Sequence, residues 1–162
     1  MSRPCDLDAI EARRLIGNKK LPPLELTKSC IEQIEKLRKA GLRPTKQRMI
    51  IADILLDGIN RHFTAENLQN EINSSGNSMS IATIYNCLKK FRNCGLIKQV
   101  ESSKDTAIFD TNINQHHHFL DEETGELIDI ENDEVNLHKL PKIPQGYLNN
   151  GVEVLIKIKK QI

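Results

Sequence analysis

Along the first two thirds of the chain, apolar residues recur at helical spacing. In TKSCIEQIEKLRKAG, Ile31, Ile34 and Leu37 fall three residues apart, and Gly41 stands where a helix C-cap is expected. LRPTKQRMIIADILLDG restarts with Thr45 as a candidate N-cap and a broadly buried helix over Met49–Leu56. FTAENLQNEINSSG begins at Thr64 and spaces Ala65, Leu68 and Ile72 at i, i+3 and i+7. NSMSIATIYNCLKKFRNCG puts Ile81, Ile84, Leu88 and Phe91 on one face. After Gly95 the period shortens, and LIKQVESS and AIFDT read as two short strands around a polar turn. Short helices followed by a hairpin give the order of a winged helix, in which the hairpin is the wing.

Beyond Asn112 strand patterns dominate. HHHFLDE, GELIDIE and GVEVLIKIKK read as strands, the last alternating Val152, Val154, Ile156 and Ile158 on one face. NDEVNLHKL, between them, reads as a helix, and PKIPQG as a loop. A piece of about 50 residues covers both faces of a sheet poorly on its own, so dimerisation is expected. The fold class is α+β: an N-terminal winged helix-turn-helix domain followed by a small α/β dimerisation domain. The expected divisions are an arm over 1–24, a DNA-binding domain over 25–111 and a dimerisation and ligand-sensing domain over 112–162. The arm has room for a short helix around Leu7–Leu15 and ends at Pro22-Pro23.

Charge sharpens this division. Residues 1–104 carry 18 Lys and Arg against 11 Asp and Glu, a net of +7, whereas residues 105–162 carry a net of −6. A basic half suggests a polyanionic partner. No apolar run approaches the ~18 residues of a membrane span, and the charged start MSRPCDLDAIEARR lacks the apolar core of a signal peptide. A cytoplasmic protein with no membrane partner is expected. The four cysteines, Cys5, Cys30, Cys87 and Cys94, include no C-x-x-C pair, so neither a structural zinc site built of four cysteines nor a disulfide framework is expected.

A DNA-reading helix needs an apolar face for its own domain and short hydrogen-bonding side chains facing the groove. SIATIYNCLKK meets both conditions. Ser80, Ala82, Thr83, Tyr85, Asn86 and Lys89 are the candidate DNA contacts, with Asn86 able to make a bidentate contact to adenine. Arg43, Thr45, Lys46 and Arg48, around the start of the second helix, are candidates for fixing the phosphate register. In a strand, His116 and His118 share a face and can converge on one ion, while His117 points the other way.

LRPTKQRMIIADIL, HFTAENLQNEI, SIATIYNCLKKFRNCGLIKQV, AIFDT and HHHFLDEETGELIDI, in this order and spacing, resemble the ferric uptake regulator family of transcription factors. The resemblance runs from about residue 30 to 130. The ending LPKIPQGYLNNGVEVLIKIKK, together with the histidine run, looks most like the iron response regulator branch. The resemblance implies a homodimer that binds double-stranded operator DNA under control of a metal, peroxide or haem signal. It implies a regulatory site between the two domains with ligands His62, Asp110, His116 and His118, and it makes haem a rival occupant of His116, His117 and His118. Three imidazoles and a carboxylate suit Zn²⁺, Fe²⁺ or Mn²⁺. The chain departs from the family in three ways: Asp110 stands at a position that is usually Glu, Asp121 and Thr124 replace a zinc-binding cysteine pair, and Gln115 stands where a further histidine is common.

The expected function is transcription regulation of iron homeostasis genes. The alternative is a peroxide-responsive regulator acting through iron-catalysed oxidation of His62 or His116. A metalloenzyme is a remote reading, since a His-rich site can activate water but no H-E-x-x-H arrangement is present. Cys5 follows a proline, the reverse of the Cys-Pro order of haem-regulatory motifs, and His138 reads as helix surface.

Overall fold

The computed structural model of the chain describes residues 23–100 and 106–161. Residues 1–22 of the expected arm, with its helix around Leu7–Leu15 and Cys5, lie outside the described residues, and its last two residues belong to the first helix. The chain divides into two compact units, one ending at Ile113 and the other beginning at Asn114.

In the first unit, helix α1 spans Pro23–Lys39 and begins at a proline, whose fixed φ and missing N–H suit the first helical position. It ends at Gly41, φ 75°, where the Leu42 N–H donates to the Leu37 carbonyl at 2.8 Å. This is a Schellman closure, which needs a left-handed residue. Leu37 is buried, but Ile31 is exposed and Gln33 is buried instead, so the inward face is rotated from the one that Ile31 suggested. Helix α2, Lys46–Leu55, is capped by Thr45, whose hydroxyl accepts the Arg48 N–H, and buries everything from Ile50 to Leu55.

Strand β1, His62–Phe63, is followed by helix α3, Ala65–Ser74, which opens on a capping box. The Asn67 N–H donates to the Thr64 hydroxyl and the Thr64 N–H to the Asn67 side chain, both at 3.1 Å. Helix α4, Ile81–Asn93, buries Ile84, Cys87, Leu88 and Phe91. Strands β2, Lys98–Val100, and β3, Ile108–Asp110, form the antiparallel wing, and β1 joins it in the order β1-β3-β2. Leu37, Ile51, Ile54, Leu68, Ile72, Ile84, Leu88 and Phe91 meet in one core. That core fixes α3 and α4 against each other.

The second unit is a three-stranded sheet. Strand β4, His117–Asp121, lies between antiparallel β5, Leu127–Ile130, and parallel β6, Leu155–Ile158. The helix expected at NDEVNLHKL does not form; residues 132–140 hold a turn and irregular chain. Leu137 and Leu140 are exposed there, so no apolar face is buried that could stabilise a helix of nine residues. His138 accordingly lies on irregular chain, not on a helix. The last expected strand is also shorter than its pattern, since β6 includes Ile156 and Ile158 but not Val152 or Val154.

The turn from β4 to β5 holds Asp121 and Thr124, where the resemblance implies a cysteine pair. The Asp121 carboxylate accepts the N–H of Glu123 at 2.8 Å and that of Thr124 at 3.2 Å. Gly125, φ 80°, then turns the chain, its N–H donating to the Asp121 carbonyl. These backbone bonds lower the carboxyl's proton affinity, the bond from Glu123 most, and hold it below the usual carboxylate range. A hydrogen-bonded carboxylate closes the turn.

Candidate metal centre and DNA interface

The first unit brings His62 and Asp110 together by strand pairing. They face each other across β1 and β3, with His62 Nε2 3.9 Å from Asp110 Oδ2. Asp110 is fully buried, and its Oδ1 accepts the Asn112 N–H at 2.7 Å. A carboxylate removed from water requires hydrogen bonds or a cation. His62 belongs to a strand that pairs with the wing, a two-residue element too short to leave a periodic signal.

The second unit supplies a tighter cluster. His116 and His118 are both buried, and their Nε2 atoms lie 2.9 Å apart. His116 Nδ1 lies 2.8 Å from the Asn114 carbonyl, which can only accept, so this nitrogen carries the hydrogen. His118 Nδ1 lies 2.9 Å from Glu153 Oε1, and an ionised carboxylate imposes the same tautomer. Both rings therefore turn Nε2 toward one another, an arrangement that a shared cation fits. Two ligands about 2.1 Å from one ion lie roughly 3.0–3.4 Å apart, which the pair approaches. The bonds at Nδ1 are those that orient metal-binding histidines generally.

Asp129 adds a carboxylate that the sequence reading missed. Its Oδ1 is 3.6 Å from His116 Nε2 and 3.8 Å from His118 Nε2. It pairs directly with His118 across β4 and β5. An acidic residue inside the apolar strand LIDI was the available signal. Glu153 was missed as well, because only tertiary pairing brings it to His118.

His117 behaves differently. Its Nδ1 accepts the Val154 N–H at 3.2 Å, so Nε2 carries the ring's hydrogen. In this arrangement the ring has no lone pair for a metal or a haem iron. It is buried, and it borders a cavity of about 500 Å³ shared with Asn132, Val135, Leu137 and Leu140.

On α4, Ala82, Tyr85, Asn86 and Lys89 are exposed and Thr83 is half-buried. Ser80 caps the helix, its hydroxyl accepting the Thr83 N–H. The Tyr85 hydroxyl donates to Glu66 Oε1 on α3 at 3.2 Å. Burial, and then the Glu66 charge and hydrogen bond, raise the Tyr85 phenol above its ordinary value. Between α4 and the wing lies a cavity of about 220 Å³ lined by Tyr85, Asn86, Lys89, Arg92, Gln99 and Phe109. Arg92 donates to the Gln99 side chain there, joining helix to wing; neither residue stood out in the sequence. Arg43 and Lys46 are exposed and Thr45 is half-buried, while the Arg48 guanidinium is tied to the Arg43 carbonyl at 2.6 Å.

The sequence model of the ferric uptake regulator family matches residues 39–148. The peroxide-responsive repressor PerR of Staphylococcus aureus strain Mu50 is 32% identical over 105 residues, covering 65% of this chain and 70% of its own length. Among solved structures, the ferric uptake regulator of Pseudomonas aeruginosa with manganese superposes with a TM-score of 0.64 at 24% identity. The match covers 80% of this chain and 98% of that one. The Vibrio cholerae ferric uptake regulator gives 0.58 at 22% identity, covering 77% and 98%. Among the described residues no helix is long and apolar enough to cross a membrane. The chain belongs to the ferric uptake regulator family and is a metal-responsive, DNA-binding transcription regulator, not an enzyme.

Proposed function

We propose that a divalent ion held by His62, Asp110, His116 and His118, with Asp129 beside them, controls binding of a homodimer to two-fold operator DNA in the cytoplasm. The genes under control are those of iron homeostasis. The observation that carries this reading is the pair of Nε2 atoms 2.9 Å apart with both Nδ1 atoms committed as donors. Five residues, 111–115, separate Asp110 from His116, six backbone steps with a reach of at most ~22 Å. A bound ion supplies positive charge, and it biases the arrangement of the units only by as much as it prefers one arrangement over another.

Operator DNA is read by α4, with Asn86 and Tyr85 toward the bases. Arg43, Lys46, Arg48, Lys89 and Arg92 act on phosphates. Homodimerisation is supported by the second unit's sheet. Phe119 pairs with Ile128 on one side and Ile156 on the other, and both isoleucines are exposed. This forms an apolar row that a second copy can cover.

Haem at the histidine run is the second reading of the ligand, through His116 and His118 and not His117. The peroxide-responsive relative supports a third, in which bound iron directs oxidation of a ligand histidine. The test is operator binding by the chelator-treated protein titrated with Mn²⁺, Zn²⁺ and haem, using a duplex selected from a random pool. One of the two metals should change affinity by about tenfold or more, a coupling of ~1.4 kcal/mol. A response to haem alone would replace the metal reading, and no response to any of the three would end both.

A further inference from the structure

We propose that Glu66 is a positioning residue that sets DNA specificity by holding Tyr85. The proposal rests on α4 as the helix that reads operator DNA. Glu66 lies in the first turn of α3, and its carboxylate receives the Tyr85 hydroxyl at 3.2 Å. Both ends of this bond are rigidly mounted. The Thr64–Asn67 capping box fixes the start of α3, and Leu68, Ile72, Ile84 and Leu88 lock α3 to α4 through the core. Tyr85 is 38% exposed, so without a tether its ring would sample several rotamers on an open face.

The bond has two consequences for recognition. The phenolic hydrogen is committed to Glu66, so Tyr85 offers bases its ring and not a hydroxyl donor. A ring held in one orientation makes apolar contact, as with a thymine methyl. The carboxylate is also a negative charge beside a helix that must approach phosphates. Repulsion acts on every sequence, whereas the seated ring benefits only the matching one, so the pair raises the preference for operator over random DNA. The raised phenol value of Tyr85 is consistent with a carboxylate close to the hydroxyl. A simpler role for Glu66, an acidic group favouring the N-terminus of α3, predicts changes in stability without changes in specificity.

The experiment compares operator and random duplexes by fluorescence anisotropy for the full-length chain and its Glu66→Ala, Glu66→Gln, Tyr85→Phe and Glu66→Ala/Tyr85→Phe variants. Each single loss of the tether should reduce the operator-to-random ratio by about fivefold, the equivalent of ~1 kcal/mol. The double variant should be no worse than the poorer single one, because both remove the same bond. Glu66→Gln keeps an acceptor and removes the charge, so it should bind operator and random DNA more tightly by the same factor and leave the ratio unchanged. In a Tyr147→Phe background, absorbance titration of the remaining phenol should move down on Glu66→Ala.

Multiplying losses in the double variant, or an unchanged ratio in both Glu66→Ala and Tyr85→Phe, would overturn the proposal. Asn86→Ala separates the underlying reading from this one. If it too leaves the ratio unchanged, the assignment of α4 to base reading is wrong and the role of Glu66 falls with it. If it lowers the ratio while Glu66→Ala does not, only the role of Glu66 fails.

Discussion

Three adjacent histidines have two kinds of environment, and the difference arises at single nitrogen atoms. His116 and His118 donate through Nδ1 and present Nε2, whereas His117 accepts through Nδ1 from the Val154 backbone. His117→Ala should therefore cost ~1–3 kcal/mol of stability by stranding that N–H while leaving metal affinity close to wild type, as denaturant unfolding and metal competition would read. Glu153→Ala should do the reverse, lowering metal affinity ~10–100-fold by releasing the His118 ring, with little change in unfolding midpoint. Asp121 gives a pH signature. Its carboxyl is depressed by the N–H groups of Glu123 and Thr124, so its stabilisation is present above the ordinary value of 3.8. That stabilisation is lost as pH falls through the lower folded value. Between about pH 5 and 2, Asp121→Asn should show a shallower fall in melting temperature than wild type. The alternation of the histidines was legible in the sequence, since period two follows from strand geometry. Asp129 and Glu153 were not, because strand register across the sheet brings them to the site and no local pattern encodes that register.

Caps and core faces decided the elements, and where both were present the sequence was a good guide. Thr45, Thr64 and Gly41 act at the helix ends where they were expected to act. Ser80 shows how a residue can be legible in one role while occupying another. Chosen as a DNA contact, its hydroxyl caps α4. Ser80→Ala should cost ~1 kcal/mol of stability, so a loss of DNA affinity in that variant needs correction for folding before it is assigned to contact. Chemical denaturation beside a binding curve makes that correction. The sequence misled at NDEVNLHKL, which reads as a helix and does not form one. Leu137 and Leu140 are exposed, and nine residues without packing do not repay helix nucleation. Strand β1 failed to register for the opposite reason. Two residues carry no period, and only the partner strand β3 identifies them.

At the scale of the whole molecule, the sign of the charge reverses near residue 104, close to the boundary between the two compact units at Ile113 and Asn114. With Asp121 in place of a zinc-binding cysteine, the β4–β5 turn closes through hydrogen bonds. Chelation should leave the dimer intact in light scattering, whereas Ile128→Asp or Ile156→Asp should shift it toward monomer by placing a charge in the apolar row. Dissociation by chelator alone would mean that a metal holds the dimer together. The central claim is that one ion joins ligands from both units, and Co²⁺ reports its ligand set directly through visible absorption. The wild-type chain, titrated with Co²⁺, should develop one set of bands. His62→Ala, in the first unit, and His118→Ala, in the second, should each shift those bands and weaken binding by at least about tenfold. Bands and affinity untouched by His62→Ala would contradict the claim, because the ion would then belong to the second unit alone.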